Sequence, residues 1–255
     1  MTFELTGRRV LVTGAGQGIG RGIALAVAGA GAHVLVNDRD EGRAVAVVAE
    51  VEALGGSAGP CVFDVTRHDD VVDAVAAAGG VDVLVNNAGN AGTDTFAVAP
   101  FTETGPDDWE PFLQVNLYGV MHCTRAVLPG MVERGWGRII TVVSDAGRTV
   151  QSGMAAYAAA KAGAAGLMRA VAGEVGRHGV TANSIALGTM RTPVSEAVWA
   201  DPENPTAKAL MRGYAIRRPG LPEDVAAMVL FLASDEASWA TGQTYPVNGG
   251  SSAAL

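Results

Sequence analysis

Four short, nearly unbroken apolar runs, each followed at a distance by a stretch of helical period, set the fold before any motif is considered. The runs are Val10-Leu11-Val12, His33-Val34-Leu35-Val36-Asn37, Val81-Asp82-Val83-Leu84-Val85 and Arg138-Ile139-Ile140-Thr141-Val142-Val143. None has the apolar-polar alternation of a strand with one face in water, so they read as parallel strands covered on both faces. Helical patterns, several of them alanine-rich, fall at about 19–30, 41–54, 69–78, 107–134 and 153–178. A parallel strand followed by a helix returns through a right-handed crossover, and repeating that unit winds helices onto both faces of one sheet.

The expected fold class is therefore α/β: a single-domain, Rossmann-type, doubly wound parallel sheet. The chain has 255 residues, 49% of them hydrophobic, enough to bury a sizeable core. With no linker tract and no repeat of solenoid period, one domain over 1–255 is expected. A net charge of -8 without any Lys/Arg run gives no electrostatic footprint for a nucleic acid, so none is expected as a partner. Cys61 and Cys123 show no CxxC or Cys/His spacing, and His33, His68, His122 and His178 form no ligand set. No metal site is expected, and the cysteines read as buried thiols in a reducing compartment. The start of the chain, Met1 to Gly7, lacks a charged-then-apolar signal, and the apolar runs are too short or too interrupted to span a bilayer. A soluble cytoplasmic protein, not bound to membrane, is the expectation.

Thr13-Gly14-Ala15-Gly16-Gln17-Gly18-Ile19-Gly20 lies between the first strand and the first helix. Glycines there let the backbone turn sharply and approach a pyrophosphate at the helix N-terminus. Asp38 ends the second strand, 18 positions after Gly20, where a carboxylate accepts from an adenosine ribose and repels a 2′-phosphate. This favours NAD over NADP. Arg39 is the opposing signal, a guanidinium able to attract a phosphate or stack on adenine.

Tyr157 and Lys161 stand one helical turn apart and share a face. An ammonium beside the phenol, together with a positively charged nicotinamide, is expected to stabilise the phenolate and make acid-base work feasible near neutral pH. Ser144, at the end of a strand and thirteen residues before the tyrosine, is placed to hydrogen-bond a substrate oxygen.

With these residues in this order, the chain resembles the short-chain dehydrogenase/reductase family, of the type with a TGxxxGxG loop. The likeness runs through Thr13 to Gly20, Asp64-Val65, Asn86 to Gly89, Asn116, Ser144, Tyr157, Lys161, Thr192 and Gly249-Gly250. It implies a catalytic set of Asn116, Ser144, Tyr157 and Lys161, in which Asn116 holds a water linking Lys161 to solvent. It further implies that Gly14, Gln17, Gly18, Ile19, Asp38 and Arg39 hold the cofactor. Asp64 and Val65 would border the adenine, and Asn87, Ala88 and Gly89 the adenosine ribose. Lys161 would hold the nicotinamide ribose, and Thr189, Met190 and Thr192 the carboxamide. The implied activity is hydride transfer between NAD(H) and a secondary alcohol or ketone. Two alternatives stand beside it: a 3-oxoacyl thioester reductase using NADP(H), and a binding module that senses NAD(H) without chemistry.

Two departures matter. Gln17 stands where many NADP-dependent thioester reductases of the family carry Arg, and the family's Pro-Gly after strand six is Leu187-Gly188 here. The stretch 189–219 reads as an irregular substrate lid carrying Pro193, Pro202 and Pro205. Its Arg191, Arg212, Arg217 and Arg218 either bind an anionic group such as a CoA phosphate or are ordinary surface and structural arginines. Asp145 either lines the substrate pocket or caps a turn. Small residues on the helices bearing Asn116 and Tyr157 suit close packing between subunits, and a homotetramer is expected.

Overall fold

The computed structural model describes residues 3–89, 99–201 and 203–253; Met1, Thr2 and the lid proline Pro202 lie outside that set. Seven parallel strands form one sheet in the order β3-β2-β1-β4-β5-β6-β7. They are β1 (Arg9–Val12), β2 (His33–Val36), β3 (Ser57–Pro60), β4 (Val83–Asn86), β5 (Gly137–Ser144), β6 (Val180–Leu187) and β7 (Thr244–Val247). The helices between them are α1 (Gly18–Gly29), α2 (Glu41–Ala53), α3 (His68–Ala77), α4 (Pro106–Leu113), α5 (Gly119–Arg134) and α6 (Ala155–Val175). Three more follow: α7 (Glu196–Trp199), α8 (Pro205–Met211) and α9 (Pro222–Ala233).

The side-chain period of two sorts each strand onto two cores. Val10, Val12, Val34 and Val36 pack with Ile23, Val47 and Val229 on the face covered by α1, α2 and α9. Leu11, Leu35, Leu84 and Ile139 pack with Val71, Val127 and Met168 on the face covered by α3, α5 and α6. Full burial of each such side chain is worth roughly 1.5–3 kcal/mol, against about 0–1 kcal/mol for an exposed ion pair such as Arg21–Glu50, so the two cores dominate the stability. β6 is buried along its whole length and β5 at all but its last residue, Ser144, where the polar chemistry begins.

The pattern read as one helix over 107–134 is interrupted. Residues Gln114–Tyr118 form a π-helical turn between α4 and α5. The side-chain amide of Asn116 donates to the carbonyl of Phe112 at 3.0 Å, the acceptor its own N–H would use in an α-helix. The stretch read as an irregular lid also contains order, α7 and α8, the latter capped by Asn204, whose side chain accepts from the N–H groups of Thr206 and Ala207.

Candidate active site

Between β1 and β4 the strand order reverses, so the loops leaving these two strands diverge and open a crevice at the carboxyl ends. Gly14 and Gly18, with φ of +60° and +55°, hold a backbone that a side chain would strain. Gly16 lies so near Asp38 that a Cβ there would sit 2.5 Å from the carboxylate oxygen. Asp38 is buried at the end of β2, its Oδ1 accepting from the N–H of Asp40 at 3.0 Å, while Arg39 beside it is exposed. Helix α1 begins at Gly18 with no side-chain cap from Gln17 and no acid in its first turn, which leaves its leading N–H groups for an anion. Ile19 packs into the first core and anchors that turn. The cradle therefore fits the pyrophosphate and ribose of a dinucleotide.

Neighbouring loops are sewn to this one. Thr13 Oγ1 accepts from the N–H groups of Asn87 and Ala88, each at 3.0 Å, and the Asn87 amide donates to the carbonyls of Thr13 and Gly14. Asn37 takes the Gly14 N–H at 3.2 Å and donates to the carbonyls of Cys61 and Phe63. Asp64 closes its own turn by accepting from Thr66, and the Val65 carbonyl lies 3.0 Å from His122 Nδ1. On the far lip, Thr192 and Pro193 stand 3.8 and 3.9 Å from where a Cβ on Gly18 would be. Met190 pairs with Gly220 in a single β-bridge and lends its side chain to the first core.

From α6, Tyr157 reaches Ser144 at the end of β5 and Lys161 reaches the carbonyl of Val142 in the same strand. Burial pushes the Tyr157 phenol up, and its hydrogen bond with Ser144 pulls it back in part. The Lys161 ammonium lies 5.9 Å from the tyrosine ring centre and donates to the Val142 carbonyl at 2.9 Å. Burial lowers that amine to about 8. The sequence suggested that Lys161 would draw the phenol down; in the protein alone, desolvation is the larger effect and the phenol rises. Asn116 and Lys161 converge on Gly89, where a Cβ would lie 3.0 Å from Asn116 Oδ1 and 3.2 Å from Lys161 Nζ. All four residues expected to be catalytic are thus gathered around one point, with Phe112 packed edge-on against Tyr157 at 6.1 Å.

Ser144 and Tyr157 open into a cavity of about 510 Å³, of the size of a small-molecule site. Tyr214 and Leu210 from the lid border it, as do Ser251 and Ser252 from the C-terminal segment. Asp145 lines it as well, and its Oδ2 accepts from Asn248 Nδ2 at 2.7 Å, Ser251 Oγ at 2.8 Å and Ser252 Oγ at 3.0 Å. Of the two readings open for Asp145, lining the pocket is the one realised; it also ties down the chain's end.

A family model described as enoyl-(acyl carrier protein) reductase matches residues 14–252. The 3-oxoacyl-[acyl-carrier-protein] reductase FabG of Thermotoga maritima is 37% identical over 250 residues, covering 96% of this chain and 98% of that protein. A 3-oxoacyl-[acyl-carrier protein] reductase from Brucella melitensis, solved with bound NAD, superposes with a TM-score of 0.88 at 35% identity, covering 97% and 92% of the two chains. A gluconate 5-dehydrogenase from Burkholderia cenocepacia, solved with NADP and tartrate, gives 0.90 at 34% identity over 100% and 98%. The chain belongs to the short-chain dehydrogenase/reductase family. As a short-chain dehydrogenase/reductase it is an NAD(P)-dependent oxidoreductase.

Two of the lid arginines of this dehydrogenase are already paired. Arg191 makes a two-pronged bond to Glu196 at 2.9 and 2.5 Å, and Arg218 another to Asp224 at 2.6 and 2.8 Å. Neither lines the cavity. Cavity-lining residues that the sequence did not single out include Tyr214, Ser251 and Ser252. Tyr214 accepts from the Thr189 N–H at 2.7 Å and donates to Thr189 Oγ1 at 2.9 Å, tying the middle of the lid to its start after β6. Only the nearby Gly249-Gly250 pair, both at positive φ, marked that region as special.

Proposed function

We propose that this enzyme interconverts a secondary alcohol and a ketone with NAD(H), Tyr157 exchanging the proton of the reacting oxygen. The observation that carries the reading is the hydrogen bond between Ser144 and Tyr157 on the cavity wall, with Lys161 5.9 Å from the tyrosine ring centre and converging with Asn116 on Gly89. Gly14, Gln17, Gly18 and Ile19 would hold the pyrophosphate, with Asp64, Val65, Asn87, Ala88 and Gly89 around the adenosine. Met190 and Thr192 would border the carboxamide. When bound, the nicotinamide supplies the carbon that accepts or gives the hydride.

The chain's own residues do the rest. Ser144 orients the substrate oxygen by a hydrogen bond. Tyr157 takes the alcohol proton in oxidation and returns one in reduction. A lysine titrating near 8 holds positive charge close to the phenol at neutral pH and so favours transient phenolate. Asn116, buried in the π-turn, would position a water for proton passage from Lys161 to solvent. The lid, 189–219, would cover the substrate.

NAD is the preferred cofactor in this reading, because the buried Asp38 carboxylate faces Gly16 where a 2′-phosphate would meet negative charge. The competing thioester-reductase reading is favoured by the names of relatives, while the pairing of Arg191 and Arg218 speaks against a phosphate seat there. A sensor without chemistry has no support in a site that lacks none of its catalytic members. The buried, unpaired thiols suit a reducing compartment, and we place the enzyme in the cytoplasm as a homotetramer without nucleic-acid partners. Among the described residues, no helix is long and apolar enough to cross a membrane. The test is a panel of secondary alcohols with NAD and with NADP, read by formation of the reduced cofactor. NAD-linked turnover supports the reading; turnover confined to 3-oxoacyl thioesters with NADPH contradicts it.

A further inference from the structure

Deepening that reading and resting on it, we infer that the substrate is an uncharged molecule bearing hydroxyl groups next to the reacting carbon. The cavity wall next to Ser144 is an acceptor surface built around one buried carboxyl group, that of Asp145. Asp145 Oδ2 binds the hydroxyl protons of Ser251 at 2.8 Å and Ser252 at 3.0 Å. The Thr149 hydroxyl donates to the Asp145 backbone carbonyl at 2.9 Å. A hydroxyl has one proton and two lone pairs, so these three groups, with their protons committed inward, offer oxygen lone pairs to the cavity. Lone pairs accept from substrate hydroxyls. They offer nothing to a carboxylate or phosphate, which needs donors.

Charge points the same way. Among the described residues lining the cavity there is no Lys, Arg or His, and Asp145 supplies the one carboxyl group. Arg148, 3.4 Å from its Oδ1, is turned to that carboxylate and does not line the cavity. Arg191 and Arg218 are held by their own carboxylates, and the Lys161 amine lies behind Tyr157 against the Val142 carbonyl. On this side of the cavity an anionic substrate would exchange its water for oxygen lone pairs beside a carboxyl group. A vicinal diol, a polyol or a hydroxyketone would instead find partners for its donors.

Three compounds sharing one ring and one reacting carbon read this out: cyclohexanol, cyclohexane-1,2-diol and 2-hydroxycyclohexanecarboxylate. Binding to the NAD-loaded enzyme is measured by calorimetry, and turnover by NADH absorbance. The diol is expected to bind best and the carboxylate at least tenfold more weakly. Val150→Arg, a substitution at a fully exposed residue of the cavity mouth, is expected to shift the carboxylate-to-diol ratio toward the carboxylate by about tenfold. Equal or tighter binding of the carboxylate by the unaltered enzyme, or no binding of any of the three, overturns the inference. The expected order of binding without any NADH would sink the dehydrogenase reading and leave this inference standing; NADH formation with the carboxylate preferred would do the reverse.

Discussion

Lys161 keeps its amine in a fully enclosed place, and the protein's stability should carry the mark. Its amine titrates near 8 in the fold against an ordinary 10.5, so between those values the unfolded chain binds more protons than the native one. Stability is then lowest, on this account, below about pH 8 and rises with pH through that window, by about 3 kcal/mol in total. The buried thiols act oppositely: burial raises Cys61 to about 11 and Cys123 to about 12, so their contribution falls as pH climbs past the ordinary thiol value. The difference between the wild type and Lys161→Met isolates the amine. Urea unfolding from about pH 7 to about pH 10 should show the variant losing the upward component of the slope; an identical pH dependence would refute the assignment. At Asp38, replacement by Ser should cut the preference for NAD over NADP by at least tenfold, measured as the ratio of kcat/KM values, and an unchanged ratio would remove Asp38 from cofactor choice. Tyr157, Lys161, Ser144 and Asp38 were readable because each sits at a fixed spacing from a strand end or a neighbour on one helix. The acceptor wall was not, since Asp145 and its partners are 103 to 107 residues apart and only the closed sheet brings them together.

Secondary structure was readable wherever burial on both faces writes a continuous apolar run. β1, β2, β4 and β5 fall where such runs occur. β3 reads Ser-Ala-Gly-Pro, an edge strand without a fully buried residue, and its pattern carries no period at all. The π-turn escaped for a different reason: an insertion in register leaves the apolar spacing on both sides helical, and Asn116 alone marks it. The short helices α7 and α8 escaped because prolines and polar residues mask so few turns. The glycine loop is the element most exposed to single changes. Gly20→Ala would press a methyl onto the Gly14 carbonyl and to 2.5 Å from Asn87 Nδ2. We expect a stability loss of about 1–3 kcal/mol and weaker dinucleotide binding, seen as a lower Tm and a smaller rise in Tm on adding NAD. Full retention of both would show that the loop tolerates displacement.

For the molecule as a whole, one sheet with a core on each face leaves the carboxyl ends of its strands for the site: the reversal between β1 and β4 opens the crevice, and the cavity borders the ends of β5 and β6. Apolar side chains also remain outside at scattered positions, Leu54, Phe101 and Ile216 among them, and two further places bear on assembly. Tyr118 and Met121 lie exposed at the start of α5, and Trp239, 99% exposed, lies between α9 and β7. Two such patches suit the two kinds of contact that a tetramer of dihedral symmetry needs. Sedimentation at micromolar concentration should give a tetramer, with Trp239→Glu shifting it to smaller species; a monomeric wild type would contradict the assembly. The decisive measurement compares Tyr157→Phe with the wild type, following NADH formation from a secondary alcohol alongside NAD affinity. A fall in turnover of about 10²–10⁴-fold with NAD binding retained is the predicted result, whereas normal turnover by the variant would show that the phenol does not move the proton.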